Sequence, residues 1–157
     1  MLEMVVVLAS AVAGLFEAVS KNGSKGWIRQ LASTLSGIAL ALSVTLQPVA
    51  EVFAGMLLGA VAAGVRGTGD RLKISAFFLV YSIYPKVVQI APVVVAALLS
   101  YADEKKYLGK PAGKRLLLPV ATAAAVPIIG WVPAAAVIAY RTGEWVAKIT
   151  YKGTLGA

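Results

Sequence analysis

The chain contains no cysteine and no histidine, and only seven of its 157 residues are acidic. Without cysteine there is no disulfide, no thiolate ligand and no thiol nucleophile. Without histidine there is no imidazole to act as base, proton relay or ligand. Together the two absences exclude Ser-His-Asp and Cys-His catalysis, zinc sites of the usual donor set and haem held through histidine. Any chemistry rests on seven carboxylates, the hydroxyls, the tyrosines and fifteen Lys and Arg residues. This inventory points to no metal and to no cofactor other than bound lipid.

Charge of either sign is scarce, at 14% of residues, whereas 59% are hydrophobic and the mean hydropathy is +0.82. A soluble domain of this length is far less apolar. Uncharged apolar runs cover residues 4–16, 31–50, 74–85, 87–102 and 116–140. Several reach or approach the roughly 20 residues that carry a helix across a bilayer. The runs are continuous and rich in Ala, Leu and Val, where a barrel strand would alternate every second residue. The composition therefore predicts an all-α, polytopic membrane protein, integral to a cell membrane or to a lipid-containing surface assembly. The first run follows Glu3 with no Lys or Arg before it, so it lacks the basic start of a signal peptide, although Ala11-Val12-Ala13 mimics a cleavage site.

The net charge of +8 sits in short connectors between apolar runs. Lys21, Lys25 and Arg29 flank the first, and Arg66, Arg71 and Lys73 the second. Their expected role is contact with anionic lipid headgroups; nucleic acid, which selects a broader basic face, is not an expected partner.

The number of crossings turns on two proline breaks. Residues 31–65 are nearly uninterrupted, and one helix of that length would run about 52 Å, well beyond a hydrocarbon core of about 30 Å. It bends or turns back at Gln47-Pro48, and the same choice recurs at Tyr84-Pro85. If both breaks are kinks, four long helices divide the cations eight against six. If both are reversals, six short helices divide them eleven against four, which the positive-inside rule prefers. Pro119, Pro127 and Pro133 put bends in the run 116–140, and the segment 141–157, with Trp145, Lys148, Tyr151 and Lys152, reads as an amphipathic interfacial tail on a membrane domain of residues 1–140.

Small residues form one candidate contact face. Gly55, Gly59 and Ala63 recur at every fourth position, the GxxxG type of spacing that lets helix backbones approach closely in lipid, either within one subunit or between copies of the chain.

Gly67-Thr68-Gly69-Asp70, followed by Arg-Leu-Lys and an apolar run, resembles the G-x-G-D motif of the prepilin and preflagellin peptidases, and Tyr81–Pro85 is similar in texture to the aromatic-proline turn of archaeal members. The resemblance implies a membrane aspartyl peptidase in which Asp70 is one catalytic carboxylate. The layout puts Glu17 where the family has its first aspartate. Two carboxyls suit such chemistry, one activating water and the other assisting the peptide carbonyl. They share a membrane face only if the chain makes six crossings. The simpler role for Asp70 is to cap the following helix, and for Glu17 to pair with Lys21 at the end of the first.

Glu51 and Lys86 lie nominally inside apolar runs, where an ionisable group is a functional candidate by default. Three functions follow: a non-catalytic, lipid-embedded structural or assembly subunit packed through its small-residue faces, as a homo-oligomer; a G-x-G-D peptidase or relative; or a small transporter or channel component. The first is the leading expectation.

Overall fold

The computed structural model describes residues 1–22, 26–64, 68–83, 89–105 and 116–155, without the side chains of 22, 43, 44, 68, 69 and 151–155. The described residues are helical, with no strand among them. The elements are α1 (Leu2–Asn22), α2 (Gly26–Ala41), a 3-10 turn (Leu42–Thr45), α3 (Val49–Ala62), α4 (Thr68–Ile83), α5 (Ile90–Lys105), α6 (Leu117–Ala124), α7 (Val126–Ile129) and α8 (Trp131–Leu155). Of these, one helix, over Leu2–Lys21, is long and apolar enough to cross a membrane by length and composition; α3 is apolar but shorter.

Proline marks where helices begin. Pro48 immediately precedes α3, and Pro92, Pro119, Pro127 and Pro133 each fall in the first turn of α5, α6, α7 and α8. A first-turn residue has no intrahelical acceptor for its N–H, so the missing donor costs nothing there. This corrects the reading of residues 116–140 as one bent helix. The helix stops at Ala125, makes one short turn, and restarts at Trp131 after Gly130, whose φ of 81° a side chain rarely adopts. Helix α8 passes unbroken through position 140 to Leu155.

The direction of each helix follows from what it places at one end of the bundle. Arg29, in the first turn of α2, donates to the Ser20 carbonyl of α1 at 3.2 Å. A single cavity at that end is lined by Glu17 of α1, Leu57 and Ala60 of α3, Asp70 and Lys73 of α4, Ser100 and Glu104 of α5, and Arg141 of α8. Thus α2 begins and α3 finishes at the same end, and the chain reverses across the 3-10 turn and Pro48. It reverses again between α4 and α5; Tyr84 and Pro85, where the sequence places that break, lie outside the described residues. Helix α6 packs against α5 and α8, and residues of α5, α6 and α7, with Val52 of α3, line an apolar crevice of about 430 Å³.

Glycine sets how closely the helices pack. A Cβ on Gly55 would meet the Val93 carbonyl and the Ala96 methyl, and one on Gly59 the Ala97 carbonyl. The small-residue face of α3 is therefore filled by α5 of the same chain. Ala63 lies past the end of α3 and is half-buried. The same device joins α2 to α4, where Gly37 faces the Lys73 carbonyl and Ala76, and α1 to α8, where Gly14 faces Tyr140 and Gly143 faces Ala11. Hydroxyls add ties between α2 and α1 and between α5 and α3: Ser36 Oγ donates to the Ala13 carbonyl at 2.9 Å and Ser100 Oγ to the Met56 carbonyl at 2.8 Å. Phe53 and Tyr140 close the centre edge to face, ring centroids 6.2 Å apart.

Candidate functional site

The charged end of the bundle is built on two buried carboxylates, Glu17 and Glu144, which share one lysine. Lys21, one turn after Glu17 on α1, places Nζ 2.8 Å from Glu17 Oε1 and 3.3 Å from Glu144 Oε1. Helix α8 holds Glu144 between Arg141, whose Nη1 lies 3.1 Å from Oε2, and Lys148, whose Nζ lies 2.9 Å from Oε1. The Gly14 and Gly143 crossing makes this possible, because only closely packed backbones let a lysine of α1 reach a glutamate of α8.

Lys73 of α4 supplies the other half. Its Nζ lies 2.9 Å from Glu17 Oε2 and 4.0 Å from Asp70 Oδ1, so those two carboxyl oxygens are no further apart than the sum of the two distances. The fold thus gathers Glu17 and Asp70 at one cavity of about 110 Å³. Glu17 is almost wholly buried, and each of its oxygens accepts from an ammonium group. That is the arrangement of a structural ion pair; activating a water requires an oxygen free to accept its proton. Asp70 is the more accessible carboxyl, its side chain 23% exposed. It sits inside the first turn of α4 and not ahead of it, where its charge complements the positive end of the helix. Thr68 and Gly69 open the same turn, so the G-T-G-D stretch is helix from Thr68 onward; Gly67 lies outside the described residues.

The lipid-contact residues divide. Lys73 is buried on Glu17, which corrects its assignment to a lipid headgroup: a carboxylate inside the bundle outcompetes the interface for its ammonium. Lys21 is one-third exposed and mainly neutralises Glu17 and Glu144. Arg29 and Arg71 are exposed. Lys25 and Arg66 lie outside the described residues, as does Lys86. Glu51 itself is in the first turn of α3, completely buried.

Three participants escaped the sequence reading: Glu144, Arg141 and Asp103. Arg141, Glu144 and Lys148 stand at i, i+3 and i+7, a spacing that lines them along one helix face and was available as a signal. Asp103 had none, because its partners are remote. Its two carboxyl oxygens accept the backbone N–H groups of Leu117 and Leu118 at 3.2 and 3.3 Å, so α5 caps the start of α6.

The chain matches no family model, no curated protein and no solved structure. The class that the fold itself defines is an all-helical bundle with one helix apolar and long enough to cross a membrane and a buried ion-pair cluster at one end.

Proposed function

We propose that the protein is a polytopic, lipid-embedded helical subunit with a structural, non-catalytic role in a membrane or lipid-containing assembly. The observation that carries this reading is the distribution of side chains. Facing outward are Leu8 and Val12 on α1, Leu79 and Ile83 on α4, Val94 and Leu98 on α5, and Ile138 on α8, all at least 42% exposed. Buried inside are Ser10, Glu17, Ser36, Glu51, Lys73, Asp103 and Glu144. Water as the surrounding solvent penalises the first set and does not require the second, whereas lipid suits both.

The three tryptophans add a second line of support. Trp27 and Trp145 lie exposed near the charged end, and Trp131 lies exposed at the start of α8, about 21 Å from Trp145 along the helix. Two levels of tryptophan at that separation fit the two interfaces of a thin hydrocarbon layer. Because Gly55 and Gly59 are occupied within the chain, contacts between copies fall to the outer leucine, isoleucine and valine faces. The test is depth-dependent quenching of single-tryptophan variants by lipids brominated at defined acyl positions. The reading expects Trp27, Trp131 and Trp145 to be quenched by bromines near the headgroup and hardly at the bilayer centre. Indifference of all three to brominated lipid contradicts it.

A second reading is favoured by one observation, the convergence of Glu17 and Asp70 on the Lys73 ammonium. Under it the protein is a membrane peptidase of the G-x-G-D type, with Asp70 as the accessible carboxyl and Lys73 moving aside when substrate enters. Cleavage of a prepilin substrate that is abolished by both Asp70→Asn and Glu17→Gln supports it. Absence of cleavage by the wild-type chain, or cleavage unchanged in Asp70→Asn, removes it.

A further inference from the structure

Four carboxyl side chains among the described residues are buried: Glu17, Glu51, Asp103 and Glu144. The chain answers three of them with ammonium, guanidinium or backbone N–H groups. Glu51 is the exception. The residue has no exposed surface, and neither carboxyl oxygen has a hydrogen-bond partner among the described residues. No ion pair from any described residue reaches it.

Its surroundings explain why. Helix α3 carries no other ionisable side chain, and it packs chiefly against α5, with lighter contact from the 3-10 turn, α8 and α4. The titratable residues of α5 (Tyr101, Asp103, Glu104 and Lys105) are confined to its last turns, at the charged end. Those of α8 that are described, Tyr140 through Lys148, and Asp70, Arg71 and Lys73 of α4 belong to that end as well. Glu51 is at the start of α3, at the far end. There, among the described residues, the Tyr81 phenol of α4 is the titratable group within electrostatic reach of it. The 3-10 turn has none, and beside Glu51 in sequence stand the buried Ala50, Val52 and Phe53.

A carboxylate enclosed in this way, with no cation and no donor, is strongly disfavoured. A metal ion needs a shell of about six oxygens, and two carboxyl oxygens with one phenol do not make one. A proton needs a single oxygen. We propose that Glu51 is a proton-binding site inside the helix bundle, its carboxyl neutralised by H⁺ taken from solvent because no described side chain around it supplies the charge.

The direct test is infrared difference spectroscopy of the full chain in lipid nanodiscs at neutral pH, wild type against Glu51→Gln. The proposal expects a carboxylic-acid C=O stretch in the wild type that shifts on deuterium exchange and is lost in Glu51→Gln. An acid band that is missing, or one that survives Glu51→Gln, overturns it. A second measurement needs no variant: labelling of the wild-type chain with dicyclohexylcarbodiimide. The acid proton passes to a carbodiimide nitrogen as the carboxyl oxygen adds to the central carbon, and the O-acylisourea rearranges to a stable N-acylurea, so only the acid form reacts. The expected result is one adduct, on the peptide containing Glu51. Label spread over Glu17, Glu144 and Glu51 alike, or absent from Glu51, contradicts the proposal.

Discussion

Glu17 and Glu51 are both enclosed in the bundle, yet at its charged end a carboxylate meets two lysines and at the far end a carboxyl meets none among the described residues. The difference follows from where cations can stand. Lys21 and Lys73 belong to helix ends beside the connectors, so their long side chains can fold inward to Glu17 while their helices still begin or finish at the polar boundary. Beside Glu51 in sequence stand the buried Ala50, Val52 and Phe53, and a lysine there would itself need desolvating. A buried carboxyl is thus held as an ion pair where lysines at helix ends fold inward, and Glu51, which no described cation reaches, is left to bind a proton.

The largest expected effect comes from closing the gap that lets the charged end assemble. In Gly14→Leu the new side chain lands on the Tyr140 carbonyl, α1 and α8 must separate, and Lys21 loses Glu144. The expected cost is about 3 kcal/mol or more, seen as loss of the cooperative thermal transition in detergent. Lys73→Met comes next. It strips one of two ammonium groups from a buried carboxylate and should cost about 3 kcal/mol. The double variant Glu17→Gln/Lys73→Met should recover part of this, because no unpaired charge remains. A double variant as unstable as the sum of its singles would show that the pair does not act as a pair.

Asp103→Ala removes both acceptors from the start of α6 and should cost about 1 to 2 kcal/mol. Amide exchange should report it first, as faster exchange at Leu117 and Leu118. The smallest effect sharpens the comparison most. Glu51→Gln replaces an acid by an amide of nearly the same shape, and with no partner to lose it should change stability by less than about 1 kcal/mol. A drop as large as that of Lys73→Met would mean that Glu51 is held by a charge after all.

How much of this was legible in the chain depends on the range of the interaction. Helical class followed from continuous apolar runs, and the division of cations already favoured reversal at Gln47-Pro48, because topology and composition both act over whole segments. The stop at Gly130 is a matter of one residue with positive φ, hidden inside an apolar run that carries three prolines and yet continues as helix after it. The cluster was half legible: Glu17 with Lys21 is a local pair, whereas Lys73 with Glu17 joins residues 56 positions apart. No local spacing encodes such a contact; it exists only once Gly37 has let α2 and α4 close together. The small-residue spacing of Gly55 and Gly59 announced a close helix contact but not its partner, which is α5 of the same chain.

The central claim is that lipid, not water, faces the outer side chains. The chain has no native cysteine, so one spin label at a time can be placed on an introduced cysteine at Leu8, Leu98 or Leu79. The decisive measurement is the collision rate of each label, in nanodiscs, with oxygen and with a water-soluble nickel chelate. All three outer positions should collide far more with oxygen than with nickel, as acyl chains require. Preference for nickel at the three positions would put them in water and contradict the account.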